Sequence, residues 1–121
     1  MSKRILVVED QEDNRRIVRD LLTRSGYEIV EAVNGEEGVT LAETQHPDLI
    51  LMDIQLPLID GYEAARRIKA NPALQHIPII AVTSYALSGD DVKAFAAGCD
   101  AYVTKPYSPR QLLAKINEYL K

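Results

Sequence analysis

Short apolar runs rich in β-branched residues alternate along this chain with stretches of helical period, and that alternation narrows the fold more than any other feature. Ile5 to Val8 is a run of the kind a strand shows when both of its faces are covered. Ile17, Val18, Leu21 and Leu22 then recur at helical spacing and end at Ser25-Gly26, a good helix stop. Tyr27 to Val30 reads as the second strand. After the turn signal Asn34-Gly35 comes "EEGVTLAETQ", a weaker helix with acids in its first turn. Leu49 to Met52 is the third strand, and from Asp60-Gly61 the segment "YEAARRIKA" is a helix closed by Asn71-Pro72. Ile79 to Val82 follows Pro78 as a fourth strand. "GDDVKAFAAG" then gives a short helix, with Val92 and Phe95 as its expected apolar anchors, and Tyr102-Val103 a short strand. Leu112, Leu113, Ile116 and Leu120 mark one face of a last helix. Five strands alternating with five helices call for a parallel sheet with helices on both faces.

A chain of 121 residues fits one such domain, spanning residues 1–121. It buries roughly two thirds of its unfolded surface, enough for a core without disulfides or metal staples. The formal net charge is -4 and no basic stretch stands out, which argues against a nucleic-acid or membrane-surface binder. "AARRIK" reads as one solvated helix face. The single cysteine, Cys99, excludes an intrachain disulfide and is expected to be a small buried hydrophobe, in keeping with a reducing compartment. The apolar run after "MSKR" is too short for a signal peptide, and no span approaches a transmembrane helix. A soluble, cytoplasmic protein is expected.

The polar residues fall where such a sheet binds ligands. Glu9 and Asp10 follow the first strand, Asp53 the third, Thr83 and Ser84 the fourth, and Lys105 the fifth. All are carboxyl ends, which share one edge of a parallel sheet. In the doubly wound, flavodoxin-like strand order 2-1-3-4-5, the first and third strands are neighbours at the crevice where the order reverses. Glu9, Asp10 and Asp53 then converge. Three carboxylates in one cleft repel one another and hold protons unless a cation sits among them. Oxygen donors with no thiol or imidazole nearby favour Mg²⁺ over Zn²⁺. His46 and His76 lie in loops that precede strands, away from this edge, and are read as solvated. Lys105 and Thr83 add a positive charge and a hydroxyl, a set suited to holding a phosphoryl group. Taken singly, each residue has a plain structural reading: a helix-start acid pair, a strand-end hydroxyl, a surface lysine. Their joint placement at four strand ends favours function. Asp13 is read as a cap for the first helix.

At these spacings "VVED", "LILMDIQLPLIDG", "IIAVTS" and "AYVTKP" resemble the receiver domain of two-component response regulators. The resemblance runs from Lys3 to Lys121 and is greatest to stand-alone receivers, with those fused to hybrid kinases nearly as similar. It implies the CheY-like form of the flavodoxin-like fold. It further implies that Asp53 takes phosphate from a phosphohistidine on a sensor histidine kinase or a histidine phosphotransfer protein. Asp10 and Asp53 would bind Mg²⁺ by side chain, Gln55 by its backbone carbonyl and Glu9 mostly through water. Thr83 would bond a phosphoryl oxygen, Tyr102 would follow it inward, and Lys105 would pair with the phosphate. The Lys105-Pro106 bond is expected to be cis. Ser84 keeps the small residue many receivers have there, and Ile59 stands where methionine is common. Tyr85 and Gln55 are placed at the site rim, where they affect the lifetime of the phosphoryl group. With no attached output domain in view, the signal is expected to leave by protein binding through the fourth helix, fifth strand and fifth helix, a switch rather than a turnover enzyme.

Three rivals are weaker. A phosphatase of the haloacid-dehalogenase kind wants a second acid where this chain has Gln55. A flavin or nucleotide binder wants a glycine- or hydroxyl-rich loop where this chain has "EDQEDN", whose acids repel phosphate. A receiver-like interaction module that is never phosphorylated would have no need to retain the whole set of site residues.

Overall fold

The computed structural model describes residues 3–83, 90–105 and 108–120, with the side chains of 90 and 91 excepted. Its elements are β1 (Arg4–Val8), α1 (Glu12–Arg24), β2 (Glu28–Ala32), α2 (Gly35–Gln45), β3 (Leu49–Asp53), α3 (Gly61–Ala70), β4 (Ile79–Thr83), α4 (Asp90–Ala96), β5 (Ala101–Thr104) and α5 (Pro109–Tyr119). The strands form one sheet in the order β2-β1-β3-β4-β5, and every neighbouring pair is parallel. The expected doubly wound, CheY-like topology is therefore the observed one.

Alternate residues of the central strands feed two cores, as the period of two in a strand requires. Leu6, Val8, Ile50, Met52, Ile79 and Ala81 face α2, α3 and α4, meeting Ala42, Ala64, Ala65, Ile68, Ala94 and Ala97. Ile5, Val7, Leu49, Leu51 and Ile80 face α1 and α5, meeting Val18, Leu22, Leu112 and Ile116. Burial on both faces is why the central strands read as unbroken apolar runs. The edge strand β2 is only half-buried, with Glu28 exposed and Glu31 half-exposed, and it begins one residue later than its apolar run suggests.

Among the described residues, three helices start on side-chain caps. Asn34 accepts from Glu37 N–H at 2.8 Å, Asp60 from Glu63 N–H at 2.9 Å, and Ser108 forms a capping box with Gln111. Asp13 does not cap α1. The helix opens at Glu12 behind Gln11, so Asp13 lies inside the first turn, where its charge suits the helix's positive end and pairs with Arg16 at 3.1 Å.

Helix α4 is held differently from what its apolar residues suggest. Val92 and Phe95 do not anchor it: they are 66% and 52% exposed, and the helix is fastened through buried Ala94 and Ala97. Two stripes of i,i+3 spacing compete for the sheet, and the alanine stripe allows the closer approach. Cys99 is buried as expected; burial, then the charge of Asp100, pushes its thiol up to about 11. Both histidines are exposed, and among the described residues no helix is long and apolar enough to cross a membrane.

Candidate functional site

The carboxyl ends of β1, β3, β4 and β5 bring the expected residues together. Asp53 closes β3 and is 5% exposed, Glu9 follows β1 at 5%, and Thr83 closes β4 at 1%. Asp10 is exposed at the mouth. Glu9, Asp10 and Asp53 each offer a carboxylate oxygen, and the three oxygens lie within 4.8 Å of one another. Together with Gln11, Asn14, Gln55 and Lys105 they line an open cleft.

The backbone around Asp53 is held closely. Ile54 N–H continues the sheet by donating to Val82 O at 3.0 Å, and Gln55 N–H turns back onto Asp53 Oδ1 at 3.2 Å. Gly61 then brings α3 against the end of β3, donating its N–H to Ile54 O at 3.0 Å. A Cβ on Gly61 would meet the Asp53 carbonyl oxygen, and would lie 2.8 Å from Ile54 Cα. Only glycine permits that approach.

Lys105 is closer to Glu9 than to Asp53. Its Nζ donates to Glu9 Oε1 at 2.8 Å and to Asp53 Oδ2 at 3.5 Å. The charge pattern follows from this placement. Burial alone would raise the Glu9 carboxyl, but hydrogen bonds with Asp53 and Lys105, and the lysine's charge, hold it below the usual carboxylate range. Asp53 has the opposite balance. Burial, then the hydrogen bond and charge of Glu9, push it from 3.8 up to about 7, against the pull of Lys105. Asp10 is also raised, by partial desolvation and then by its hydrogen bond and charge interaction with Glu9. Neighbouring acids thus share one lysine and crowd one another.

These donors fit a hard divalent cation: three carboxylates on one cleft wall, with neither thiol nor imidazole in the cluster. Thr83 is fixed from two sides, its carbonyl accepting from Lys105 N–H at 2.7 Å and its hydroxyl from Gln55 Nε2 at 3.2 Å. That second bond escaped the sequence reading, which gave Gln55 only a backbone and rim part. Asn14 was missed as well; its signal is its place four residues after Asp10, on the first turn of α1. Thr83 and Tyr102 share a sheet face, because Tyr102 pairs with Ala81 and Thr104 with Thr83. Tyr102 is half-buried against the core below α2, α3 and α4. Ser84, Tyr85 and the Lys105-Pro106 bond fall outside the described residues.

Comparison with known proteins agrees with this arrangement. The family model described as the response regulator receiver domain matches residues 5–117. The polar-differentiation response regulator DivK of Brucella ovis is 45% identical over 120 residues, covering 99% of this chain and 98% of that protein. The receiver domain of the Pseudomonas aeruginosa sensor histidine kinase PA1611, solved with a magnesium ion coordinated in its active-site cleft, superposes with a TM-score of 0.92 at 36% identity over 99% of this chain and 98% of that one. A co-crystal structure of the Saccharomyces cerevisiae phosphotransfer protein Ypd1 with the receiver domain of its downstream response regulator Ssk1 matches with a TM-score of 0.89 at 31% identity, over 98% of this chain and 88% of that one. The chain belongs to the receiver-domain family of two-component response regulators and is similar over its full length to the stand-alone regulator DivK.

Proposed function

We propose that this receiver is a Mg²⁺-dependent phospho-acceptor of a phosphorelay, and that Asp53 carries the phosphoryl group. The observation that carries the reading is the placement of one buried carboxylate between two further acids, a lysine and a hydroxyl at adjacent strand ends. An Asp53 carboxylate oxygen would attack the phosphorus of a phosphohistidine. A P–O bond forms, the P–N bond breaks, and the imidazole nitrogen keeps the electron pair. Water attack on phosphorus later restores the carboxylate and releases phosphate.

Each neighbour has a part. Asp10, Asp53 and the Gln55 backbone carbonyl would hold Mg²⁺, with Glu9 reaching it through water, and the ion would neutralise charge on the transferring group. Lys105 is close enough to leave Glu9 for a phosphoryl oxygen. The Thr83 hydroxyl, held by Gln55, is the donor on the other side. The rigid setting of Asp53 matters, since a misplacement of about an ångström can cost about a hundredfold in rate.

Exposed Ile17 on α1 and Leu58 in the loop after β3 belong to segments adjoining the site edge and suit contact with a kinase or phosphotransfer protein. Downstream, α4, β5 and α5 would present the output surface to a protein target, with exposed Val92 and Phe95 on it. The protein acts there as a cytoplasmic switch and not as a turnover enzyme. Incubation with Mg²⁺ and acetyl phosphate, followed by intact-mass measurement, should show a single phosphoryl increment that needs the metal and is absent in Asp53→Asn. Labelling of Asp53→Asn at the wild-type rate would overturn the assignment. No labelling of the wild type under any donor would favour an unphosphorylated interaction module.

A further inference from the structure

Arg15 lies on α1 with its guanidinium half-buried between that helix and β2. Its Nη1 donates to the backbone carbonyl of Glu9 at 3.0 Å, and its Nε to Glu31 Oε1 at 3.2 Å. The Glu9 carbonyl sits where β1 has ended and α1 has not begun, beyond the regular ladder of either element. On the other side of the same residue, Glu9 N–H donates to Ala32 O at 3.0 Å. Both backbone polar groups of Glu9 are therefore tied to β2, one directly and one through the Arg15 fork. Glu31 also takes Arg19, at 3.2 Å, but Arg19 is not seen to reach the Glu9 peptide.

The peptide that Arg15 grips joins Glu9 to Asp10, two of the three clustered acids. We propose that Arg15 is a positioning residue for cation binding: it fixes the Glu9–Asp10 peptide and thereby the two carboxylates that leave it. Arg15 touches neither the cation nor the phosphoryl group. A planar guanidinium can serve a carbonyl and a carboxylate at once, whereas an ammonium on a flexible stem holds both poorly. The inference rests on the Mg²⁺ reading of the site given above.

Simple electrostatics predicts the opposite sign, which makes the test sharp. Removing a cationic side chain near an acidic cleft makes the cleft more negative and favours Mg²⁺. Arg15→Met and Arg19→Met make that same change of charge, and both delete an ion pair with Glu31. Only Arg15→Met frees the Glu9 carbonyl.

Mg²⁺ affinity is to be measured by isothermal titration calorimetry, at one pH and ionic strength, on wild type, Arg15→Met, Arg15→Lys and Arg19→Met. Arg15→Met should bind Mg²⁺ about tenfold more weakly, the size usual for losing an outer-shell partner. Arg19→Met should stay within about twofold of wild type, and Arg15→Lys should recover part of the loss. Arg15→Met binding as tightly as wild type, or more tightly, overturns the proposal. If Arg15→Met does not fold, Arg15→Lys decides the matter: several-fold weaker binding supports the positioning part, and wild-type affinity overturns it. Wild type binding no Mg²⁺ would sink the metal reading itself, a failure distinct from equal binding by wild type and variant.

Discussion

Crowding at the carboxyl edge should make the metal-free protein less stable at neutral pH than a variant with one acid fewer. Asp53→Asn is the sharpest perturbation, because the side chain is nearly isosteric and 5% exposed. In the unfolded chain this carboxyl ionises near 3.8, whereas in the fold burial and Glu9 hold its proton until about 7. The native state therefore binds more protons between those values. Stability from this group is present in full below the lower value, and is lost as pH rises to the higher one. Raising a carboxyl from 3.8 to about 7, at about 1.4 kcal/mol per pH unit, corresponds to about 4 kcal/mol. The pull of Lys105 at 3.5 Å is already contained in that value; Asp53 and Glu9 titrate together, so the shift belongs to the pair, and about half of it, ~2 kcal/mol, is the expected net gain from removing one acid. For a domain of this size the gain is roughly 8 °C in Tm. Thermal melts in chelator should coincide for the two proteins near pH 4 and diverge towards pH 8, with the variant more stable. Added Mg²⁺ should close the gap, because it binds the wild type better. Curves that run parallel from about pH 5 to pH 8, or a variant less stable at the alkaline end without metal, would refute the crowded-acid account.

Asp60→Ala and Gly61→Ala, neighbours in sequence, should separate stability from site geometry. The first loses the α3 cap and about 1 kcal/mol in urea unfolding, with phosphoryl labelling unchanged. The second drives a Cβ into the Asp53 carbonyl; it should cost about 2 kcal/mol and slow labelling as well. On the expectation from the receiver resemblance alone, Tyr85→Ala should shorten the lifetime of the aspartyl phosphate, measured as loss of the mass increment; unchanged or slower decay would overturn that expectation. Hydrogen exchange with and without beryllofluoride and Mg²⁺ should change most from Ser84 to Tyr107, and changes confined to α1 and α2 would move the output face elsewhere.

The sheet was legible because burial on both faces leaves an unbroken apolar run, and helical period marks what lies between. Alternation called only for a parallel sheet; the order 2-1-3-4-5 came with the flavodoxin-like arrangement that the receiver resemblance implies, and the convergence of Glu9, Asp10, Asp53, Thr83 and Lys105 came from strand ends, since each follows or closes a run. Side-chain reach was less legible. Which acid Lys105 approaches depends on torsions that no spacing encodes, and it is Glu9 at 2.8 Å. The Gln55 amide reaches Thr83 from an irregular loop, where periodicity is silent. Size alone makes Val92 and Phe95 the inner stripe of α4, but Ala94, with Ala97 just past the helix, lies inside because small side chains let a short helix settle close to the sheet. Asp13 failed as a cap by the smallest margin, since moving the helix start by a residue or two turns a cap into a first-turn acid.

On the proposed reading, the features that destabilise the empty cleft are those that make it switch. Proton and cation compete for the same crowded carboxylates, so binding the cation releases the proton that keeps Asp53 from acting as a nucleophile. Phosphorylation would then place new oxygens between Lys105 and Thr83, whose present partners include an acid for the lysine and a neutral amide for the hydroxyl. Movement of Thr83 acts on the sheet face it shares with Tyr102, whose ring packs on the core under α4. That helix is short, and among the described side chains it is fastened by Ala94, with Ala97 just past its end, small residues that have little packing to lose on displacement. A bias of a few kcal/mol from phosphate contacts is enough to exchange two packings of such an element. Because Val92 and Phe95 already face outward, the displacement changes the presentation of an existing apolar surface and needs no buried side chain to be expelled.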